Sequence, residues 1–140
     1  MANWRDLHQP LHSSDDNDRG GNDKKVSANT LRAGNLHHYW DTEFVGLLET
    51  DAKSIASDLI GHITPNQVKD WQKGTPADWA NEAFYVAKAD AYEALPAPSS
   101  RDSYRLSDDY VTAATADVAQ QLSRAGVRLA FVLNRALGQK

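Results

Sequence analysis

Apolar residues recur at helical spacing along most of the chain, and turn and cap signals divide the repeats into separate elements. Leu36, Trp40, Phe44, Leu47 and Leu48 form one stripe, with Asn35 ahead of them as an N-cap. From Asp51 to Ile63 a second helix carries Ala52, Ile55, Ala56, Leu59 and Ile60 on one side. Thr75-Pro76-Ala77-Asp78 is a strong helix start, with an N-cap, a proline at the first position and an acid in the first turn. Trp79, Ala83, Val86 and Ala87 then trace one face. Residues 96–103 read as a loop, and Ser107-Asp108-Asp109 opens the last and longest helix. Its stripe runs through Val111, Ala114, Val118, Leu122, Ala125, Leu129, Val132 and Leu133, and it is expected to pack on the helix bearing His37. Gly126 within it costs about 1 kcal/mol against alanine, which points to a close helix crossing. Gly138 fits a C-cap. Residues 2–9 read as the end of a helix stopped by Pro10, and no strand pattern of any length occurs, so the fold is predicted to be all-α.

Residues 13–34 break this regularity with a long polar loop, S-S-D-D-N-D-R-G-G-N and beyond. A loop of that length inside a compact domain is functional or disordered. Its aspartates bring calcium to mind, but D-D-N-D-R-G-G lacks the alternating spacing and closing glutamate of an EF-hand. The histidines gather around this loop: His8, His12, His37 and His38 flank it, and only His62 lies elsewhere, read as a surface or capping residue. Imidazole and carboxylate are ligands suited to zinc. On a helix, His37 and Asp41 project from the same face, and His12 from a separate segment would complete a three-ligand site with an open position. A lone H-x-x-x-D pair is also met as a solvated pair or as a buried, hydrogen-bonded histidine.

Three motifs in order, D6-L-H-Q-P-L-H12, D18-R-G-G-N22 and N35-L-H-H-Y-W-D-T-E43, closely resemble the zinc-dependent single-strand-specific nucleases of the S-one/P-one type. The terminal R-L-A-F-V-L-N-R also looks like that family's last helix. The resemblance implies a helical fold shared with bacterial zinc-dependent phospholipase C. It spans the whole chain but only the second half of the family's domain, so residues 1–140 are read as that C-terminal half, with 13–34 bordering the active site. The family site holds three zincs. By the resemblance, His12, His37 and Asp41 are the protein ligands of one, and Asp6 is the carboxylate that bridges the other two. The family's histidine four residues before that aspartate is replaced here by Ala2, and its usual glycine by Arg5; its remaining ligands lie in the first half. One complete zinc site is therefore expected. Arg19, Gly20, Gly21 and Asn22 become candidate neighbours of the substrate. His8 and Gln9 match no family ligand and could orient ligands from behind or simply pack. Trp4, Tyr39 and Trp40 are read as packing residues, with base stacking as the alternative.

The implied function is zinc-dependent hydrolysis of single-stranded DNA or RNA to 5′-phosphorylated products. Because the paired zincs keep only Asp6, this chain alone is expected to be inactive or weak, with a complementary first half or self-association covering its apolar flank. The alternatives are a truncated helical protein that binds zinc without catalysing, and a relative of the phospholipase branch, which the G-G-N and N-L-H-x-x-W-D-T-E patterns fit less well. A net charge of −4 argues against a protein that neutralises phosphates with a basic face, although bound metal would supply positive charge locally. The absence of cysteine excludes thiolate sites, so any zinc rests on histidine and aspartate. No apolar run approaches a membrane span. The M-A-N-W-R-D start has no signal-peptide h-region, whereas the resemblance implies an exported protein, and the compartment stays open.

Overall fold

The computed structural model describes residues 6–138. Ala2, Trp4 and Arg5 lie outside the described residues, as does the Asp6 side chain. Two 3₁₀ turns, Asp6–His8 and Pro10–His12, lead into the polar loop. A continuous helical run, α1 (36–46), follows; its middle, Tyr39–Glu43, is wound as a π-helix. Then come α2 (Ala52–His62), α3 (Pro65–Trp71), α4 (76–93, with a π-helical end at Ala87–Glu93) and α5 (Asp108–Ala136).

The helix starts are chemically capped. Asn35, Asp51 and Ser107 each accept backbone N–H bonds from the first turn, and Thr75 with Asp78 forms a reciprocal capping box. α3 was not foreseen, although Thr64-Pro65 and Gln67 build the same box there. The fold is mostly helical but not purely so. β1 (Lys25–Ser27) pairs antiparallel with β2 (Gly34–Asn35) and parallel with β3 (Ser103–Arg105). Strands of two or three residues are too short to show alternation. They pin the far end of the polar loop: Leu36 N donates to Lys24 O at 2.9 Å, and Leu106 N to Ser27 O at 2.8 Å.

The core joins α1, the second half of α4 and the first half of α5. Leu36, Tyr39, Trp40 and Phe44 are fully buried, and Phe44 meets Tyr39 and Trp40 edge to face at 5.5 and 5.6 Å. Ala87 and Ala91 let α4 approach closely, and Tyr110 donates to Ala91 O at 2.8 Å. Thus α5 packs on the helix bearing His37, as expected, through Tyr110, Ala114 and Val118. Its later stripe does not hold: Leu122, Leu129 and Leu133 are exposed, and a Cβ at Gly126 would meet nothing, so no helix crosses there.

What that half of α5 buries instead is Arg128, 2% exposed. It donates to Trp71 O at 2.9 Å and to Glu82 Oε2 at 2.6 Å, faces His8 Nε2 at 3.2 Å, and lies over the Trp79 ring. A buried guanidinium is tolerated only when its donors are met. Arg128→Ala should therefore lower unfolding free energy by about 3 kcal/mol, and Arg128→Met, which refills the volume, by less; urea denaturation measures both.

About three turns earlier on the same helix, burial pushes the Asp117 carboxyl up to about 6; Asp90 adds to the rise and Arg124 opposes it. The folded value lies above the ordinary 3.8, so this site's contribution to stability is fully present below that value and is lost as pH rises through 6. Asp117→Asn should raise stability at pH 7 by roughly 1 kcal/mol after solvent screening, and the gain should vanish below about pH 4. Denaturation curves at the two pH values check it.

Candidate metal centre

Asn35 caps α1 by accepting the His38 N–H at 2.8 Å, which sets His37 in the first turn and Asp41 one turn on. The turn between them is the π-helical one; such widened turns recur at functional sites. It still returns both side chains to one face: His37 Nε2 lies 3.3 Å from Asp41 Oδ2. His12 arrives from the Pro10–His12 turn, its Nε2 3.2 Å from His37 Nε2 and 3.5 Å from Asp41 Oδ1, with the two imidazoles stacked. Among the described residues this is the one group of three or more histidine or carboxylate ligand atoms that lie within 4.8 Å of one another.

The three separations test whether a metal fits. Nitrogen and oxygen ligands at about 2.0–2.1 Å from a tetrahedral zinc stand about 3.3 Å apart. The 3.2 Å between His12 Nε2 and His37 Nε2 and the 3.3 Å from His37 Nε2 to Asp41 Oδ2 are such edges, while the 3.5 Å from His12 runs to the other carboxylate oxygen, Oδ1. Two imidazole nitrogens facing each other beside a carboxylate can share a hydrogen bond or hold a cation between them. The side chains of His12, His37 and Asp41 are 27%, 21% and 38% exposed, so the fourth side of the site is open.

The polar loop determines which nitrogen His37 offers. Its Nδ1 lies 2.8 Å from the Gly20 carbonyl, to which only an N–H can donate, leaving the Nε2 lone pair for a metal. Gly20 is held in turn by the loop's acids. Asp15 Oδ1 accepts from Asp18 N and Gly20 N, and Asp18 Oδ1 accepts from Gly21 N, Asp16 N and the Tyr92 hydroxyl. The aspartates thus bond the loop's own amides. Burial pushes the Asp18 carboxyl up, but the Gly21 and Tyr92 bonds, the Asp16 amide and Lys24 together hold it below the usual carboxylate range.

The loop residues singled out from the sequence separate into two pairs. Gly20 and Gly21 adjoin the site, whereas Arg19 pairs with Asp23 and Asn22 donates to Arg19 O, so both serve the loop itself. Asp6 opens the first 3₁₀ turn, ahead of His12. His8 is buried against Arg128, and His38 turns outward to Glu43 at 3.3 Å. The loop scaffold of Asp15, Asp18 and Tyr92 escaped sequence reasoning; the D-x-x-D spacing just before two glycines is the signal that could have shown it.

A sequence model of the S1/P1 nuclease family matches residues 4–138. The chain belongs to the S1/P1 nuclease family. Endonuclease 2 of Arabidopsis thaliana is 36% identical over 146 residues, covering 95% of this chain and 48% of that protein. Endonuclease 4 of the same plant is 31% identical, over 96% of this chain and 48% of its own length. Endonuclease 1 is 28% identical, over 93% and 45%. The chain spans about half the length of the curated relatives it matches.

Gly21 offers the sharpest test of the loop's part in this S1/P1 chain. Its φ is +86°, and an added Cβ would lie 3.1 Å from His37 N and 3.2 Å from Leu36 Cβ, both in the well-packed first turn of α1. Gly21→Ala should cost about 1–2 kcal/mol for the left-handed backbone alone, and should raise amide exchange across residues 15–23. Hydrogen exchange read against wild type measures it.

Proposed function

We propose that this chain forms part of a zinc-dependent endonuclease that hydrolyses phosphodiester bonds of single-stranded DNA and RNA to 5′-phosphorylated products. Membership of the S1/P1 nuclease family and the endonuclease names of its relatives support the reaction class. The single observation that carries the zinc reading is the cluster of His12, His37 and Asp41 at tetrahedral-edge separations with one side open. In this reading His12 Nε2, His37 Nε2 and a carboxylate oxygen of Asp41 hold the ion. Zinc there would supply Lewis-acid charge beside a phosphodiester. The chain's own residues do the rest. Gly20 keeps His37 in the Nδ1–H tautomer, and the open side admits the phosphate. Asp6 is proposed as the carboxylate shared by two further zincs, and Gly20 and Gly21 as the loop that borders the substrate.

The rest of a family domain is the occupant proposed for the exposed row Leu122, Leu129, Leu133 and Leu137 on and just beyond α5, a reading that the coverage of about half of each relative supports. An apolar row of this kind is otherwise a liability in water. The same coverage favours a narrower reading of the 140 residues when studied alone: a zinc-binding chain of little activity.

Metal analysis of purified protein should return close to one zinc per chain, lost in His37→Ala. Denatured DNA should be cut weakly by the chain alone. Co-expression with the rest of a family domain, together with Ala2→His, should raise cleavage strongly. A stoichiometry near zero defeats the zinc reading. Robust cleavage by the unmodified chain, abolished in His37→Ala, would show that one zinc suffices.

A further inference from the structure

Gln9 spans the site in a way that no ligand assignment covers. It sits at the head of the Pro10–His12 turn, with extended backbone at φ −82° and ψ 115°. Its Oε1 accepts the Leu11 N–H, tying the side chain to the turn that carries His12. Its Nε2 donates to Asp41 Oδ1 at 2.8 Å, across 32 positions of sequence, onto the helix that carries His37 and Asp41. A carboxamide of this reach can accept at one end and donate at the other.

Asp41 needs such a restraint. Its side chain is 38% exposed, and apart from the two imidazoles, Gln9 is its hydrogen-bonding side-chain neighbour among the described residues. A carboxylate free to rotate can offer a metal one oxygen, both, or neither. With Nε2 bonded to Oδ1, the carboxylate plane is set and Oδ2 is the oxygen presented beside His37 Nε2 at 3.3 Å. The donor is also neutral. A lysine or arginine in its place would cancel the charge that makes Asp41 a ligand, whereas an amide orients the carboxylate and leaves its charge available.

We propose that Gln9 is a positioning residue for the metal centre: it locks the Asp41 carboxylate to one ligating oxygen and couples the two segments that supply the ligands. This rests on the reading of His12, His37 and Asp41 as zinc ligands.

Two substitutions separate positioning from local capping. Gln9→Met keeps the length but neither accepts nor donates usefully. Gln9→Glu keeps the acceptor for Leu11 N but, ionised, has no donor for Asp41. The 140-residue chain and each variant are titrated with zinc against a chromophoric chelator, with circular dichroism to confirm folding. Each is also loaded with cobalt(II), whose visible bands report coordination number. Removal of a group that orients a ligand costs about 10- to 100-fold in metal affinity. Both variants should show a loss of that size, with weaker cobalt bands as Asp41 turns both oxygens to the metal, while His38→Ala, altered on the outward-facing histidine, should match wild type. Weak binding by Gln9→Met with wild-type behaviour in Gln9→Glu would mean that Gln9 acts only through the turn, and would overturn the proposal. Wild-type behaviour in both, or tighter binding by Gln9→Glu as a direct ligand, would overturn it too. A wild-type chain that takes up no zinc defeats the three-ligand reading itself, a failure seen before any variant is compared.

Discussion

The hydrogen bond from His37 Nδ1 to the Gly20 carbonyl joins a polar loop to a buried helix, and the candidate centre depends on it. Without that carbonyl, His37 could present either nitrogen, and its ring could leave the face it shares with Asp41. The carbonyl is in place because residues 17–21 pass through left-handed conformations at Asn17, Arg19, Gly20 and Gly21. Those conformations are costly for asparagine and arginine, and the Asp15 and Asp18 carboxylates offset the cost by accepting the amides that the turns expose. Tyr92, from α4, closes the arrangement from outside. A loop read as polar and irregular is thus as specified as any helix in the molecule.

The second anchor is Arg128. Its guanidinium reaches α3 through Trp71 O, α4 through Glu82, and the first 3₁₀ turn through His8. His8 stands four residues before His12, so the segment that delivers one ligand is fixed from the core side by Arg128 and from the site side by Gln9. This accounts for a helix whose apolar stripe fails in its second half. There α5 turns a charged residue inward, because the neighbouring elements offer a carbonyl, a carboxylate and an imidazole to receive it. Its leucines face outward at Leu122, Leu129 and Leu133.

The sequence made visible what depends on spacing and local chemistry. The caps at Asn35, Asp51, Thr75 and Ser107, the long last helix, and the shared face of His37 and Asp41 all follow from side chains within one or two turns of each other. What stayed hidden depends on partners far along the chain. β3 is three residues long and exists only because residues 103–105 meet β1 at 25–27, far along the chain. Gln9 acquires a purpose only when Asp41 is brought beside it. The π-helical winding of Tyr39–Glu43 leaves no mark in a period-of-four pattern, since its aromatic residues would be buried by an α-helix as well. The predicted burial of Leu47 fails for the same kind of reason: the helix ends at Gly46, and Leu47 lies 44% exposed past its last turn.

The two perturbed carboxylates show how the site and the scaffold differ in what they ask of pH. Asp18 is held ionised by the donors around it, so its contribution is present at neutral pH and is lost as acid protonates it below its ordinary 3.8. Asp117 is pushed the other way by burial and by Asp90, so the fold gains from its protonation and gives up that gain as pH rises through 6. The loop that orients His37 is therefore firmest when Asp18 is charged, while the α4–α5 contact is firmest when Asp117 is not. Metal ligation sides with the loop, because zinc needs deprotonated imidazole and carboxylate. Near neutral pH the chain thus carries a cost on α5 under the conditions in which the centre itself is best formed.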